Sequence, residues 1–204
     1  MKRPGFHFSN QISYIGYAES KDGKNFVTRK EPFISPDKDC DLFGCEDPRI
    51  TKFGNTFYIT YTAIDSPLEN KDSKPNIRIA LATTKDFISI KKIGIIGPPT
   101  SSKAAALFPE PVNNGKIGLV LTISPDSTHS HVAVRYYDSI EHLLNSSETE
   151  WNNFLKNSKK TAILGTQWWL HRGPELGAPP IKTKRGWLFI YSAESMSDTW
   201  TITA

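Results

Sequence analysis

The stretch GCEDPRITKFGNTFYITYTA, residues 44–63, decides how the rest of the chain is read. Phe57, Ile59 and Tyr61 alternate with Tyr58 and Thr60, the period-two pattern of a half-buried strand, and Gly54-Asn55 supplies the tight turn before it. Glu46, Asp47 and Arg49 surround Pro48 just ahead of that hairpin. Such a cluster is either a solvated acidic turn or a set of charges held at the mouth of a sheet.

The hairpin recurs. DPRITKFGNTFYITYTA (47–63), FPEPVNNGKIGLVLTI (108–123) and APPIKTKRGWLFIYSA (178–193) each place a turn glycine, Gly54, Gly115 or Gly186, before an apolar strand. A second unit, a short apolar strand followed by a polar turn containing Asp, appears as ISYIGYAESKDGKNF (12–26), IRIALATTKDFISI (77–90) and more weakly as HVAVRYYDSIEHL (131–143). Two alternating hairpins predict four-stranded antiparallel blades, so the expected fold is all-β, a β-propeller in a single domain over residues 1–204. A β-sandwich does not account for the alternation. Helix is expected only from Ser139 to Leu155, in an inter-blade insertion around 139–160. In a propeller the segments leading into the inner strands converge on the axis. Here these are Glu46–Arg49, Phe108–Pro111 and His171–Pro180, and all three carry carboxylates.

Composition excludes several classes of function. Hydrophobic residues make up 38% of the 204 and charged residues 23%, an ordinary globular balance. A net charge of +4 is spread along the chain without a basic stripe, so no nucleic-acid partner is expected. Cys40 and Cys45 are too few for a disulfide framework, and no His or Cys cluster completes a metal site. His7, His129, His131, His142 and His171 are dispersed. Asn145-Ser146-Ser147 is a glycosylation triplet of a kind common by chance. No apolar run is long enough for a signal peptide or a bilayer span, so the chain as it stands is expected to be cytoplasmic, with no membrane partner. Oligomeric state is not legible.

Two carboxyl groups flanking a polar cavity are the minimum equipment for breaking a glycosidic bond: one protonates the leaving oxygen and the other activates water or attacks. Glu46 and Asp47 are adjacent, and in an extended segment adjacent side chains point to opposite faces. The partner of Asp47 is therefore sought on another blade, with Glu110, Glu175 and Glu194 as candidates. Trp168, Trp169, Trp187 and Tyr61 could offer an aromatic platform to a sugar, although Trp187 sits in a strand pattern that reads as core. The glycine loops, G-x-S-x-G elbow and H-E-x-x-H motif of other chemistries are absent from the sequence.

These segments resemble glycoside hydrolase family 130, whose members process β-linked mannosides on five-bladed β-propellers. GCEDPRITKFGNTFYITYTA is similar to the family's signature, and SYIGYAESKDGKNF, ALFPEPVNNGKIGLVL and GAPPIKTKRGWLFIYSAES are similar to its blade strands. The resemblance implies that Asp47 is the general acid, acting through a hydroxyl of the mannosyl ring. It implies that Arg49 positions substrate or neighbouring carboxylates, and that Glu110 lies near the floor of the site. Glu46, Trp168, Arg172 and Glu194 complete the expected substrate-binding set. A manno-oligosaccharide or mannoside is the implied partner, with no cofactor and no metal.

The sequence also departs from the family. Its phosphorylases carry a His-Arg pair and a further histidine where Thr122, Ile123 and Ser192 stand here. Arg172 and Lys182 would make a thin phosphate site, while Glu175 and Glu194 add negative charge that suits activation of water. The expectation is therefore an inverting β-mannosidase with Asp47 as acid and Glu175 as base. The alternative is a phosphorylase using inorganic phosphate as co-substrate and releasing mannose 1-phosphate. A further alternative is an inactive or glycan-binding remnant, because family members are typically longer at both ends and TWTITA stops within a strand pattern, so an incomplete propeller is expected.

Overall fold

The computed structural model describes residues 12–67, 77–125, 127–165, 170–197 and 199–203. The short strands β1 (Ala18–Glu19) and β2 (Val27–Thr28) pair across a polar turn in which Asp22 accepts from the backbone N–H groups of Lys24 and Asn25, each at 2.8 Å. Strands β3 (Gly44–Phe53), β4 (Thr56–Ile64), β5 (Ile77–Thr84) and β6 (Lys91–Ile95) form an antiparallel sheet in that order. A second four-stranded sheet follows the same plan with β7 (Ser102–Leu107), β8 (Ile117–Ile123), β9 (His131–Tyr137) and β10 (Ala162–Leu164). Helices α1 (Ile140–Leu144) and α2 (Glu148–Asn157) lie between β9 and β10. The third sheet is built from β11 (Leu170–Leu176), then, after the small hairpin β12 (Ile181–Thr183) and β13 (Gly186–Leu188), from β14 (Tyr191–Ser195) and β15 (Trp200–Thr203), in the order β11-β14-β15. Among the described residues the protein is all-β apart from these two short helices.

Gly54 and Gly115 lie in turns as expected, whereas Gly186 is the first residue of β13, just after the Lys184-Arg185 turn of a separate two-stranded hairpin. Gly54 occupies the first position of the two-residue β3–β4 turn at φ 59°, a left-handed conformation that a side chain would disfavour. The Asp-containing turn also recurs: Asp86, between β5 and β6, accepts from Ile88 N at 2.9 Å and Ser89 N at 3.0 Å, as Asp22 does in the first hairpin.

The first two sheets are buried on both faces, which is why their central strands are largely apolar. Leu119, Leu121 and Ile123 of β8 pack with Ile79 and Leu81 of the first sheet, while Val120, on the opposite face, packs toward Leu176 of the third. The outer face of the first sheet (Ile59, Tyr61, Ala63, Ala80 and Ala82) is covered by Ile15, Ile34 and Phe33 of the N-terminal segment. At about 1.5 to 3 kcal/mol for each fully buried aliphatic or aromatic side chain, these shared layers hold neighbouring sheets in a fixed relation.

The insertion around 139–160 lies within the second sheet, joining its third and fourth strands, and not between two sheets. It holds two helices where one was expected. Asn145 and Ser146 separate them because Ser147 caps α2, its side chain accepting from Glu150 N while Glu150 reaches back to Ser147 N. Leu143 and Trp151 carry the apolar stripe that closes the core beneath.

Candidate active site

The first strands of the three sheets, β3, β7 and β11, share a local device. In each, two residues bulge out opposite a single residue of the partner strand. These are Asp47-Pro48 between the pairs Glu46↔Thr62 and Arg49↔Thr60, Ala104-Ala105 between Lys103↔Thr122 and Ala106↔Val120, and Gly173-Pro174 between Arg172↔Glu194 and Glu175↔Ser192. The first bulged residue is left-handed in all three: Asp47 at φ 50°, Ala104 at φ 53° and Gly173 at φ 94°. A bulge frees a main-chain carbonyl from the ladder, and hydroxyls of neighbouring sheets take up two of them. Thr60 Oγ1 donates to Ala105 O, and Ser130 Oγ donates to Pro174 O at 3.0 Å. The bulge re-aims the residues on either side of it, so Glu46, Lys103 and Arg172 are equivalent positions, as are Arg49, Ala106 and Glu175.

The charged groups of the three strands interlock. Arg49 donates from Nη1 to Asp47 O at 2.8 Å and from Nη2 to Leu176 O on β11 at 2.6 Å. Burial lowers the Arg49 pKa, while the charges of Asp47 and Glu175 oppose that shift, so the guanidinium lies within the field of both carboxylates. Lys103 Nζ is 3.0 Å from Glu175 Oε1, with 17% and 12% of the two side chains exposed. Arg172 Nε is 3.1 Å from Glu194 Oε2. Glu46 accepts from Ser13 Oγ of the N-terminal segment. Of the four carboxylates Glu46, Asp47, Glu175 and Glu194, Asp47 alone is exposed. Chemically this is one accessible acid beside a lattice of cations and carboxylates that largely neutralise one another.

The structure thus gathers Glu46, Asp47, Arg49, Arg172, Glu175 and Glu194 onto adjacent bulges. Glu46 and Asp47 do not follow simple strand alternation, because the bulge lies between Glu46 and Arg49. Glu110 is elsewhere: it follows the C-terminal end of β7 and pairs with Lys182 at 2.8 Å, and Lys182 also sits over the Trp187 ring at 4.6 Å. Trp168 falls outside the described residues. Trp187 packs edge-on against Phe108 at 4.9 Å beside the core between the second and third sheets. Thr122 and Ser192 are framework positions: Thr122 Oγ1 accepts from Leu176 N at 3.0 Å, and Ser192 is the cross-strand partner of Glu175.

Lys103 is the residue that sequence reasoning missed. Its signal was the alignment of KAAA, residues 103–106, beneath EDPR (46–49) and RGPE (172–175). Counting back from the turn glycines hides that alignment, since the spacer from bulge to glycine runs 47 to 54 in the first repeat, 104 to 115 in the second and 173 to 186 in the third. Among the described residues no group of three or more His, Cys, Asp and Glu side chains could hold a metal, and no helix is long and apolar enough to cross a membrane.

β-1,2-Mannobiose phosphorylase from Listeria innocua, solved with β-1,2-mannobiose, superposes with a TM-score of 0.68 at 26% identity, over 94% of this chain and 48% of that one. A family 130 structure described with glycoside hydrolases that target β-1,2 mannosidic linkages in Candida mannan gives 0.63 at 21% identity, over 92% and 55%, a likeness of fold alone. The chain belongs to glycoside hydrolase family 130: residues 7–201 match the family described as beta-1,4-mannooligosaccharide phosphorylase. In sequence it is 31% identical to a 1,2-beta-oligomannan phosphorylase of Thermoanaerobacter sp. (strain X514), over 98% of this chain and 60% of the relative. It is 27% identical to the Listeria innocua β-1,2-mannobiose phosphorylase, over 100% and 51%. The chain spans between 51% and 60% of the length of the curated relatives it matches.

These relatives overturn the expectation of a hydrolase, since the curated ones are named as phosphorylases. The physical error is identifiable. The expectation treats Glu175 and Glu194 as added negative charge suited to activating water, whereas Lys103 and Arg172 stand against them at 3.0 and 3.1 Å. Paired carboxylates present little net field to an incoming anion.

Proposed function

We propose that this site serves the phosphorolysis of a β-1,2-linked mannoside. A phosphate oxygen attacks C1 of the terminal mannosyl unit, and the C1–O bond to the leaving sugar breaks. Asp47 supplies the proton to the departing oxygen through a hydroxyl of the mannosyl ring. A single displacement inverts the anomeric centre, so the products are α-mannose 1-phosphate and the shortened acceptor. The observation that carries this reading is the kinship, 31% identity over 98% of the chain, to an enzyme named 1,2-beta-oligomannan phosphorylase. The three cations Arg49, Lys103 and Arg172 on neighbouring inner strands fit it chemically, because a phosphate in transfer needs several charge-assisted donors. With phosphate as the nucleophile there is no water to activate. Glu175 then acts as the counter-charge that orients Lys103, and not as a base. Inorganic phosphate is the only co-substrate required, and no metal or cofactor enters the chemistry.

The same reading makes the three sheets blades of a five-bladed β-propeller, with β3, β7 and β11 as inner strands. The test is incubation with β-1,2-mannobiose in the presence and absence of inorganic phosphate. Mannose 1-phosphate should appear, and only when phosphate is supplied. Release of free mannose at the same rate without phosphate, or saturable sugar binding without turnover, would overturn the proposal.

A further inference from the structure

The three cations at the bulges are not equivalent as anion receptors. Both terminal nitrogens of Arg49 are committed to main-chain carbonyls, Nη1 to Asp47 O at 2.8 Å and Nη2 to Leu176 O at 2.6 Å. Lys103 is mostly enclosed, and its ammonium lies against Glu175 at 3.0 Å. Lys182, further along, is drawn to Glu110 and to the face of Trp187. Arg172 differs from all of them. Its side chain is 47% exposed and is met at Nε by Glu194, whose own side chain is only 10% exposed. Among the described residues no ion pair or hydrogen bond engages its Nη1 or Nη2.

A guanidinium ion-paired on its Nε side with a buried carboxylate, without a hydrogen bond to it, leaves its two terminal N–H groups for a second oxyanion, the geometry of bidentate phosphate recognition. The hold is built into the sheet. Arg172 and Glu194 are direct cross-strand partners on β11 and β14, and Glu194 occupies the position taken by Thr62 and Thr122 in the other two sheets. A short hydroxyl in the first two sheets is thus replaced by a carboxylate only where the facing residue is an arginine.

We propose that Arg172 is the side chain that grips the phosphate co-substrate through Nη1 and Nη2, and that Glu194 is a positioning residue acting through it. The proposal rests on the phosphorolysis reading for its choice of anion. Ground-state capture of phosphate predicts an effect on one substrate only. In Arg172→Lys, the KM for phosphate should rise about tenfold because a point charge replaces the fork, while the KM for β-1,2-mannobiose stays within about twofold. Glu194→Gln, which keeps the shape and removes the holding charge, should shift the phosphate KM in the same direction by about fivefold, and Glu194→Asp should recover part of it.

Calorimetric titration of the full chain with inorganic phosphate alone provides the second readout. Binding that weakens in Arg172→Lys and Glu194→Gln supports the inference even if no turnover is found, an outcome in which the phosphorolysis reading falls separately. Phosphate-dependent turnover with an unchanged phosphate KM in both variants would overturn the inference and leave the function standing. An equal rise of both KM values would assign the pair a merely structural role and overturn it too.

Discussion

Arg49 on the first sheet donates from Nη2 to the main-chain oxygen of Leu176 on the third, across 2.6 Å, while its Nη1 donates to Asp47 O at 2.8 Å. One guanidinium therefore fixes the bulge that bears the acid and ties it to the strand that bears Glu175. Lysine cannot make both bonds, since it offers a point charge in place of a fork. Arg49→Lys should leave the carbonyl of the fully buried Leu176 without its donor, lowering stability by about 2 kcal/mol. Phosphorolytic kcat/KM should fall by about a hundredfold through displacement of Asp47. The midpoint of urea unfolding and steady-state kinetics check the two halves.

Asp47 itself should separate chemistry from folding. Its left-handed backbone, φ 50°, is a conformation that asparagine tolerates well, and its side chain is exposed. Asp47→Asn is expected to unfold within about 0.5 kcal/mol of the parent, as surface substitutions do. Turnover should drop by a factor of about 10² to 10⁴, the usual contribution of a positioned proton donor. A large loss of stability would show instead that the carboxylate holds the bulge.

The equivalence of the three bulges can be tested by opposite substitutions. Gly173 sits at φ 94°, and a Cβ there would come within 3.0 Å of Ala193 Cα, so Gly173→Ala should destabilise by about 2 kcal/mol. Ala104 holds the matching left-handed position at φ 53° with a side chain already present. Ala104→Gly removes the steric cost of that conformation, about 1 kcal/mol, and should be neutral or stabilising although it deletes a buried methyl. Chemical denaturation of both variants decides the matter.

Lys103 and Glu175 form a largely enclosed pair, so their effects should be strongly non-additive. Lys103→Met leaves a carboxylate with little water around it and should cost about 3 kcal/mol. Lys103→Met combined with Glu175→Gln should recover most of that loss. A double-mutant cycle measures the coupling, and additivity would mean that the two charges do not sense each other.

Acid should release a clamp at the other side of the first sheet. Asp41 is fully buried, and burial alone would raise its pKa. Lys92 at 2.7 Å, the backbone N–H groups of Lys38 and Asp37 and the Tyr61 hydroxyl outweigh that penalty and hold the carboxyl below its ordinary value. A carboxyl depressed in the folded state contributes stability above the unfolded pKa, about 3.9, and that contribution is lost as pH falls through the folded value. Glu150, held down to about 2 by Ser147 N–H and then by His142, titrates in the same direction. Melting temperature should therefore fall steeply below about pH 4. Asp41→Asn should flatten that fall while lowering the plateau, because Lys92 loses its buried partner.

Much of the fold was legible because it is encoded locally. Gly54 and Gly186, each at positive φ in its hairpin, and the Asp22 and Asp86 turns mark the chain wherever it must reverse, and the apolar run of β8 announces a strand buried on both faces. The charged cluster at the first bulge was legible too, since Glu46, Asp47, Pro48 and Arg49 are contiguous. The placement of Glu110 was not, because the spacers between bulge and turn glycine differ in length among the repeats. The two helices of the insertion were half visible: Ser147 and Glu150 spell out a capping box, but which strands the insertion joins depends on sheet order.

What the sequence by itself determined is the kind of strand, the kind of turn and the presence of an acid beside an arginine. Each of these depends on residues within a few positions of one another. What only the tertiary structure decided is the electrostatic character of the site. Lys103 and Glu175 are far apart in the chain and 3.0 Å apart in space, and Arg172 meets Glu194 through strand register. The strength of a charge pair falls with distance and solvent exposure, so the same list of residues reads as repulsive when counted along the chain and as nearly neutral once it is folded.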